Sequence, residues 1–411
     1  MKKLVILLLL ISLKSFSQNT GDLMIDQKPI KTDSLLWDLQ TLSKAPEVQW
    51  IDKTSKVYSL IYNSVDFEGK PTQVFAYYSN PDILAGKPVG SNKFPGVVLI
   101  HGGGGQAFKA WVEKWASEGY AAIAMDLSGN GADGKKVAQP GPEQSHENKF
   151  DKIEKGNLKN VWTYHAVASS ILAHSLLLSF SEIDKSKTCL TGISWGGYLT
   201  CIVGSLDNRF KAAVPVYGCG YYDESDVFKE PLNQLTANGK RRWMYYFDPS
   251  VYMPFAKTKF CFLNGNKDKF YNVVPYSKTY HLVKEKRRKV VVLPDMRHDH
   301  VSGWEPKEIR YFFESVINKT APIAKVGKPK SNKSRMVVSY KSEVPLVMSE
   351  FYFSNDTVSS NEKRVWIKQE ATIETGKRVI TTSIPKDNFK YGFFYLKDRN
   401  GISASSEFII H

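Results

Sequence analysis

The most informative part of the sequence is Gly192-Ile193-Ser194-Trp195-Gly196. It follows an apolar, strand-like run at residues 189–191 and precedes a helix-like stretch that begins at Gly197. Glycines on both sides of a serine allow a sharp strand-to-helix turn, from which the hydroxyl stands clear of the backbone. A serine hydroxyl is a poor nucleophile at neutral pH, so it needs such exposure and a neighbouring base to react. The stretch therefore predicts Ser194 as a nucleophile, whereas a serine that only punctuates a turn is the alternative.

An acid and a base follow Ser194 in the order that α/β-hydrolases use. His298 comes directly after the last predicted strand and can accept the Ser194 proton, because imidazole titrates near neutral pH. Asp268 ends the turn Asn264-Gly265-Asn266-Lys267-Asp268 after the preceding strand and can orient the imidazole. The sequence thus predicts a triad of Ser194, Asp268 and His298.

Each partner of the serine has a rival. His300 lies two residues beyond His298 and is the alternative base, although a base close to the strand end favours His298. Asp295 is the alternative acid, but it lies too close to the histidine in sequence to orient it easily. Asp268 could also be an ordinary surface carboxylate in a turn.

A glycine-rich loop, His101-Gly102-Gly103-Gly104-Gly105, follows the predicted strand at residues 97–100. Its backbone amides can converge on a developing oxyanion, so Gly103 and Gly104 are predicted to form an oxyanion hole with the amide of Trp195. His101 is expected to order the loop rather than to react. A phosphate-binding loop is the alternative, but the Lys-Ser/Thr that should follow is absent.

Apolar runs alternate with amphipathic stretches from residue 97 to residue 318, which indicates a mostly parallel, doubly wound sheet wrapped by helices. An edge hairpin at residues 57–62 and 73–78 and a short helix at 35–42 precede it. The predicted strands span residues 97–100, 121–125, 188–191, 212–216, 260–264 and 290–293, and the predicted helices span 108–118, 158–180, 197–205, 273–284 and 306–318.

Two segments interrupt this alternation, at residues 129–157 and 217–255. Insertions after strand carboxyl ends lie over the ligand crevice in such sheets, so both are expected to shape the substrate site. Aromatic side chains could stack on a sugar there, although each alone is more often a packing residue. The predicted substrate-binding residues are Tyr217, Tyr221, Trp243 and Trp304, with Trp195 and Tyr222 as further members of the set.

The composition divides the chain. Residues 1–17 are predicted to be a signal peptide, 18–320 a catalytic domain and 321–334 a Lys/Pro/Ser linker. Residues 335–411 show short alternating strands and turns without a helix signal, which predicts a small β-sandwich of immunoglobulin or fibronectin type.

The first residues carry an export signal. Lys2 and Lys3 precede an apolar run at residues 4–13, and small residues then allow cleavage after Ser17. A membrane anchor is the competing interpretation, but the run is about half the roughly 20 residues that a spanning helix needs. We therefore expect a secreted or periplasmic protein with no membrane span.

The net charge and the positions of the cysteines limit the partners and cofactors that the sequence suggests. The net charge of +15 favours anionic partners, and an acidic saccharide suits an exported protein better than nucleic acid does. A solvated basic surface without a partner is the alternative. The four cysteines lie in apolar runs that suit a core, and the sequence holds no CxxC or HExxH pattern, so neither a metal nor a cofactor is expected.

Three stretches together resemble a known family: residues 101–127, residues 192–220, and Leu263-Asn264-Gly265-Asn266-Lys267-Asp268 with Met296-Arg297-His298-Asp299-His300. They are similar to the acetylxylan esterase and dienelactone hydrolase-like branch of the α/β-hydrolases, as found in bacterial polysaccharide-degrading systems. The resemblance covers residues 35–318. It implies Ser194 as nucleophile, Asp268 as acid and His298 as base.

The sequence and this resemblance leave three candidate functions. The first is a secreted serine carbohydrate esterase that removes acyl groups, chiefly acetyl, from a polysaccharide or oligosaccharide. The second is a serine peptidase of the prolyl oligopeptidase type, although the segment before residue 97 is far too short for the propeller that such enzymes carry. The third is a glycan-binding protein without catalysis, against which a complete triad argues.

Overall fold

A nine-stranded sheet forms the centre of the molecule, which we describe from a computed structural model covering residues 36–411 apart from 89, 91, 333 and 386–388. The strand order is β1-β2-β3-β5-β4-β6-β7-β8-β9; the first three pairings are antiparallel and the other five parallel. The strands are β1 (Val48–Asp52), β2 (Tyr58–Phe67), β3 (Lys70–Ser79), β4 (Phe94–Ile100), β5 (Ala121–Met125), β6 (Ile183–Ile193), β7 (Ala212–Val216), β8 (Lys259–Gly265) and β9 (Arg288–Leu293).

Helices cover the sheet on both faces, as the alternation predicts. Every residue from 162 to 177 in the longest helix is buried, and so is all of the helix that follows Ser194. The helices are α1 (Leu39–Leu42), α2 (Pro81–Leu84), α3 (Lys109–Ser117), α4 (His146–Lys149), α5 (Trp162–Ser179), α6 (Trp195–Leu206), α7 (Lys229–Asn233), α8 (Ala237–Phe247), α9 (Val273–Leu282), α10 (His300–Trp304) and α11 (Lys307–Ile317).

The order of the central strands places the ligand crevice. After β4 the chain runs to β5 on one side and then to β6 on the other, so the loops after β4 and β6 diverge at neighbouring carboxyl ends. A switch of this kind opens a crevice in a parallel sheet. The glycine-rich loop follows β4 and Ser194 follows β6, so the fold brings the two motifs to the same edge.

The predicted doubly wound sheet is confirmed, and β5 and β7 have the predicted bounds. All residues of these two strands are buried, because helices cover both faces of the parallel part of the sheet. The edge strand β1 was not predicted, since a partly exposed strand carries no continuous apolar run. The helix predicted at residues 35–42 is shorter and spans Leu39–Leu42.

The C-terminal part forms two five-stranded antiparallel sheets, as expected of a small all-β domain. One sheet has the order β10-β12-β16-β15 with β11 beside β12, and the other β14-β13-β17-β18 with β19 beside β17. The strands are β10 (Lys325–Val326), β11 (Lys330–Asn332), β12 (Arg335–Lys341), β13 (Leu346–Ser354), β14 (Ile367–Glu370), β15 (Thr372–Glu374), β16 (Val379–Ser383), β17 (Tyr391–Asp398), β18 (Ser403–Ser405) and β19 (Ile409–Ile410).

The segment predicted to be a linker, residues 321–334, differs from the prediction. Its strands β10 and β11 both pair with β12. Edge pairing needs only backbone N–H and C=O groups, so a stretch without apolar periodicity can still join a sheet. The chain thus enters the C-terminal sheets about ten residues before the predicted boundary at residue 335.

The C-terminal sheets pack directly on the end of the central sheet. The hydroxyl of Ser405 in β18 accepts a hydrogen bond from the backbone N–H of Val292 in β9, at 2.9 Å. The buried Glu308 carboxylate of α11 accepts from the Ser403 backbone N–H at 2.8 Å. These contacts cover the exposed edge of β9, where open backbone groups would otherwise invite pairing with another chain.

Residues 1–35 lie outside the part of the chain that the structure describes, so the predicted signal peptide and its cleavage after Ser17 stay predictions. Within the described ranges, none of the helices combines the length and the apolar character that crossing a bilayer requires. All four cysteines are buried in the core as free thiols.

Candidate active site

Ser194 occupies a strained turn between β6 and α6. Its backbone has φ 59° and ψ −117°, a conformation that L-residues rarely adopt. The flanking glycines permit the turn: a Cβ on Gly192 would lie 2.3 Å from the Gly196 carbonyl oxygen, and one on Gly196 would lie 2.0 Å from that of Ile100. The strand and the helix can therefore approach closely only without side chains at these positions, and the turn carries the serine hydroxyl into the crevice.

Ser194, His298 and Asp268 form one hydrogen-bonded chain. The Ser194 Oγ lies 2.9 Å from His298 Nε2, and His298 Nδ1 lies 2.7 Å from Asp268 Oδ2. The other carboxylate oxygen of Asp268 accepts the backbone N–H groups of Phe270 and Tyr271 at 2.7 and 2.6 Å. Because the buried carboxylate can only accept here, Nδ1 of His298 carries the proton and Nε2 is free to take the serine proton.

Aromatic rings hold the His298 imidazole in place. The ring centroid of Tyr217 lies 4.3 Å from that of His298, and the centroid of Phe270 lies 4.6 Å away. The Tyr217 hydroxyl donates to the backbone carbonyl of Arg297, which ties the loop after β9 to the end of β7. The imidazole is therefore oriented by packing as well as by Asp268.

The rivals of His298 and Asp268 have other partners. His300 Nε2 accepts the backbone N–H of Gly102 at 3.1 Å, and burial, followed by the neighbouring histidines, lowers the pKa of His300 to about 4. A neutral His300 thus braces the glycine-rich loop, whereas the histidine that is hydrogen-bonded to Ser194 is His298. The exposed Asp295 carboxylate faces Lys267 at 3.1 Å, and the carboxylate bonded to His298 is that of Asp268.

Two free amides, one from the glycine-rich loop and one from the start of α6, lie at the crevice. Among residues 36–411 as described, no acceptor is found for the backbone N–H of Gly103 or of Trp195, the first residue of α6. The N–H of Gly104 donates instead to Gln144 Oε1 at 3.2 Å, so the structure does not support the prediction that it serves the oxyanion hole. Gln144 belongs to the first insertion, so only the tertiary structure shows that its side chain occupies the Gly104 amide.

His101 has the structural role that the sequence suggests. Its Nε2 accepts the backbone N–H of Leu127 at 2.9 Å, so its Nδ1 carries the proton and donates to the Gly102 carbonyl at 2.8 Å. Burial lowers the pKa of His101, which keeps the ring neutral. His101 thereby ties the loop after β4 to the loop after β5.

A cavity of about 430 Å³ opens over Ser194. Most of its wall is apolar, and its polar groups converge on the serine. It is lined by Gly103, Ile193, Ser194, Trp195, Phe228, Phe270, His298, Asp299 and His300.

The four predicted substrate-binding aromatics do not line this cavity. Tyr217 and Trp243 are fully buried, which contradicts a stacking role; Trp243 packs against Tyr222, also buried, at 5.4 Å. Tyr221 lies under the ammonium of Lys278, and Trp304 packs against Trp111 at 5.7 Å. These rings were predicted at the site from their types, but Tyr217 and Trp243 belong to the buried core, and Tyr221 and Trp304 pack elsewhere.

Phe228 and Phe270 are the aromatic residues that sequence reasoning missed. Phe228 lies within the second insertion, which was expected to shape the site, and Phe270 lies two residues after Asp268. Position in these loops was the available signal. The first insertion contributes Phe150, which packs 6.1 Å from Trp195 and supports the cavity wall from behind.

Two further polar side chains, buried Tyr271 and partly buried Lys149, contact Ser194 and Trp195 respectively. The Tyr271 hydroxyl lies 2.9 Å from that of Tyr222 and also interacts with the Ser194 hydroxyl, while burial raises the pKa of Tyr271 well above its usual value. The Lys149 ammonium lies 4.7 Å from the Trp195 ring, and burial lowers its pKa to about 8. Among the described residues, no cluster of His, Cys, Asp and Glu side chains could hold a metal ion.

Comparison with known proteins agrees with this geometry. The acetyl xylan esterase family model matches residues 33–223, and the prolyl oligopeptidase family model matches residues 155–318. The acetyl xylan esterase match covers a little under half of the chain, and the fold is that of the α/β-hydrolases. These findings support a serine hydrolase that acts on carboxylic esters.

Several solved structures resemble this chain, and the first of those described here shows its fold. An acetyl xylan esterase from Paenibacillus sp. R4 is 19% identical, covers 68% of this hydrolase and 92% of its own chain, and superposes with a TM-score of 0.52. Acetyl xylan esterase 1 from Thermoanaerobacterium sp. JW/SL YS485 is 16% identical over 67% and 92% of the two chains, with a TM-score of 0.48. The acylaminoacyl peptidase of Pyrococcus horikoshii is 18% identical over 67% and 42%, with a TM-score of 0.47.

Proposed function

We propose that Ser194, His298 and Asp268 are the catalytic triad of a secreted carbohydrate esterase that removes acetyl groups from a polysaccharide or oligosaccharide. The continuous hydrogen-bonded chain from Ser194 Oγ through His298 to Asp268 carries the proposal. The match to the acetyl xylan esterase family supports the acetyl ester as the bond that is cleaved.

The reaction follows from the positions of the protons. His298 Nε2 takes the Ser194 proton as Oγ attacks the ester carbonyl, and Asp268 stabilises the resulting imidazolium through Nδ1. The amides of Gly103 and Trp195 donate to the oxyanion. His298 then protonates the departing sugar hydroxyl, and a water molecule that it activates releases the acyl group from Ser194.

The lining of the cavity favours an ester of a small acyl group with a larger alcohol. Phe228, Phe270, Trp195 and Ile193 form an apolar wall that suits a methyl group. The net charge of +15 favours a saccharide that also carries anionic groups. Export, from the leader at residues 1–17, would bring the enzyme to such a substrate.

The test is acetate release from acetylated xylan, from p-nitrophenyl acetate and from a set of other acetylated polysaccharides, with a methyl-esterified polysaccharide for comparison. We expect acetate from the acetylated substrates, and a loss of activity of at least about 10³-fold in Ser194→Ala. A Ser194→Ala variant that releases acetate as fast as the parent would reject the triad. A parent protein that releases no acetate and cleaves no anilide would leave the glycan-binding hypothesis.

A peptidase is the second candidate, because the prolyl oligopeptidase family model matches residues 155–318. A peptidyl anilide in the same panel separates the two functions. Cleavage of the anilide with a higher kcat/KM than that of p-nitrophenyl acetate would favour the peptidase, whereas we expect the ester to be the better substrate by several orders of magnitude.

A further inference from the structure

A side chain of the C-terminal sheets reaches the loop that carries Asp268. Asn361 lies in the loop between β13 and β14 and is 2% exposed. Its Nδ2 donates to the backbone carbonyl of Asp268 at 2.9 Å and to that of Asn266 at 3.3 Å. One amide group thus joins two carbonyls of the turn that presents the carboxylate to His298.

Arg364 fixes the orientation of the Asn361 amide. Arg364 Nη1 donates to Asn361 Oδ1 at 2.5 Å, and Arg364 Nε donates to the Asp356 carbonyl at 3.0 Å. The guanidinium lies 4.2 Å from the ring centroid of Tyr391 in β17. Since a guanidinium can only donate, it requires the oxygen of the Asn361 amide and directs the NH₂ group to the Asp268 loop.

The Asp268 turn has few other supports on this side. In the part of the chain that the structure describes, Asn361 is the only hydrogen-bond donor to the backbone carbonyls of Asn266 and Asp268. The Asn264 side chain holds the far end of the turn through the Tyr271 carbonyl at 3.1 Å. The position of the Asp268 backbone therefore depends on a residue some 90 positions later in the chain, within the C-terminal sheets.

We propose that Asn361 is a positioning residue for the Asp268–His298 pair, and that the C-terminal sheets complete the active site in addition to stabilising the fold. The inference rests on the proposed function, since it assigns Asp268 the acid role. Asn361 fixes two carbonyls of the turn, the turn fixes the carboxylate, and the carboxylate sets the tautomer and basicity of His298. A shift of the turn by about 1 Å would cost about 10²-fold in rate.

The experiment is Asn361→Asp, which keeps the shape and the partner of Arg364 but replaces the NH₂ donor by an oxygen that faces two carbonyls. The matched control is Asn355→Asp, an exposed position in the same loop with the same change of charge. We expect kcat for p-nitrophenyl acetate to fall about 10- to 100-fold in Asn361→Asp with KM changed less than about twofold. The dependence of kcat/KM on pH should also change in Asn361→Asp, because the carboxylate that partners the imidazolium is displaced, and it should stay that of the parent in Asn355→Asp.

A folding defect is checked by the thermal unfolding midpoint. If Asn361→Asp does not fold, Asn361→Ser, smaller and uncharged, is measured in the same way. A folded variant at residue 361 with the kcat and the kcat/KM–pH profile of Asn355→Asp would overturn the inference while the triad stood. Retained activity in Ser194→Ala would instead overturn the proposed function, so the two failures are distinguishable.

Discussion

Replacement of Asp268 by asparagine tests the hydrogen-bonded chain at its most sensitive point. The Oδ1 atom accepts two backbone N–H groups, so the amide oxygen of an asparagine must take that place. Its NH₂ group then faces Nδ1 of His298, 2.7 Å from the present Oδ2. The imidazole responds by moving its proton to Nε2, which becomes a donor to Ser194 and can no longer act as a base.

The size of the expected loss in kcat follows from the free energy that the other orientation of the asparagine amide would cost. Rotating the amide to restore the active tautomer would leave two buried N–H groups facing an NH₂ group, at about 1–3 kcal/mol each. The inactive tautomer is therefore favoured. The same carboxylate-to-amide change in a serine protease lowers kcat by about 10⁴-fold, which corresponds to about 5 kcal/mol of activation free energy.

The assay is kcat and kcat/KM for p-nitrophenyl acetate near pH 7.5, with thermal unfolding to show that Asp268→Asn folds. Asp295→Asn is the matched control, because that neighbouring carboxylate is exposed and pairs with Lys267. We expect the control to keep the parent rate within about twofold. A folded Asp268→Asn enzyme within tenfold of the parent would refute the assignment of the acid and of the His298 tautomer.

Three further expectations rest on single contacts. Phe228→Ala enlarges the cavity and should raise the kcat/KM of p-nitrophenyl butyrate relative to that of p-nitrophenyl acetate by about tenfold. The two extra methylene groups of the butyryl chain contribute about 0.8 kcal/mol each when they are buried. An unchanged ratio would contradict the acyl pocket. His300→Phe removes the acceptor of the Gly102 N–H and should lower kcat for p-nitrophenyl acetate by about tenfold; an unaltered kcat would show that the loop needs no brace. Burial tends to raise the pKa of Glu407, yet hydrogen bonds from His281 and Arg288 bring it to about 2, below its ordinary 4.5. Its carboxylate therefore stabilises the fold above about pH 4.5 and ceases to do so as the pH falls towards 2, so the unfolding temperature of Glu407→Gln should depend less on pH in that range, and parallel curves would argue against the contact.

Much of the fold could be predicted because its signals are local. The run Ala121–Met125 is buried on both faces, so each of its residues is apolar and the strand bounds follow directly. The edge strand β1 and the strands β10 and β11 could not be predicted, because pairing through backbone groups leaves little mark on the side chains. Prediction was therefore best where burial is complete and poorest at the edges.

The site shows the same division. The sequence ranked His298 above His300 from chain position, and the structure separates their contacts: one imidazole faces Ser194 and the other faces the Gly102 amide. The aromatic residues were misjudged, since ring type alone does not distinguish a buried Trp243 from a cavity-lining Phe228. Gly104 was likewise predicted to serve the oxyanion hole, but its N–H donates to Gln144.

The amino-acid sequence by itself determined the order of strands and helices, the sharp turn at Ser194 and the residue types that could react. These depend on the spacing of apolar residues and on two glycines, which are properties of neighbours along the chain. Tertiary structure alone decided which amides stayed free, which rings lined the cavity and that Asn361 reached the Asp268 turn. Such contacts join residues some 40 to 100 positions apart, and only the packing of the sheets and loops sets the distances between them.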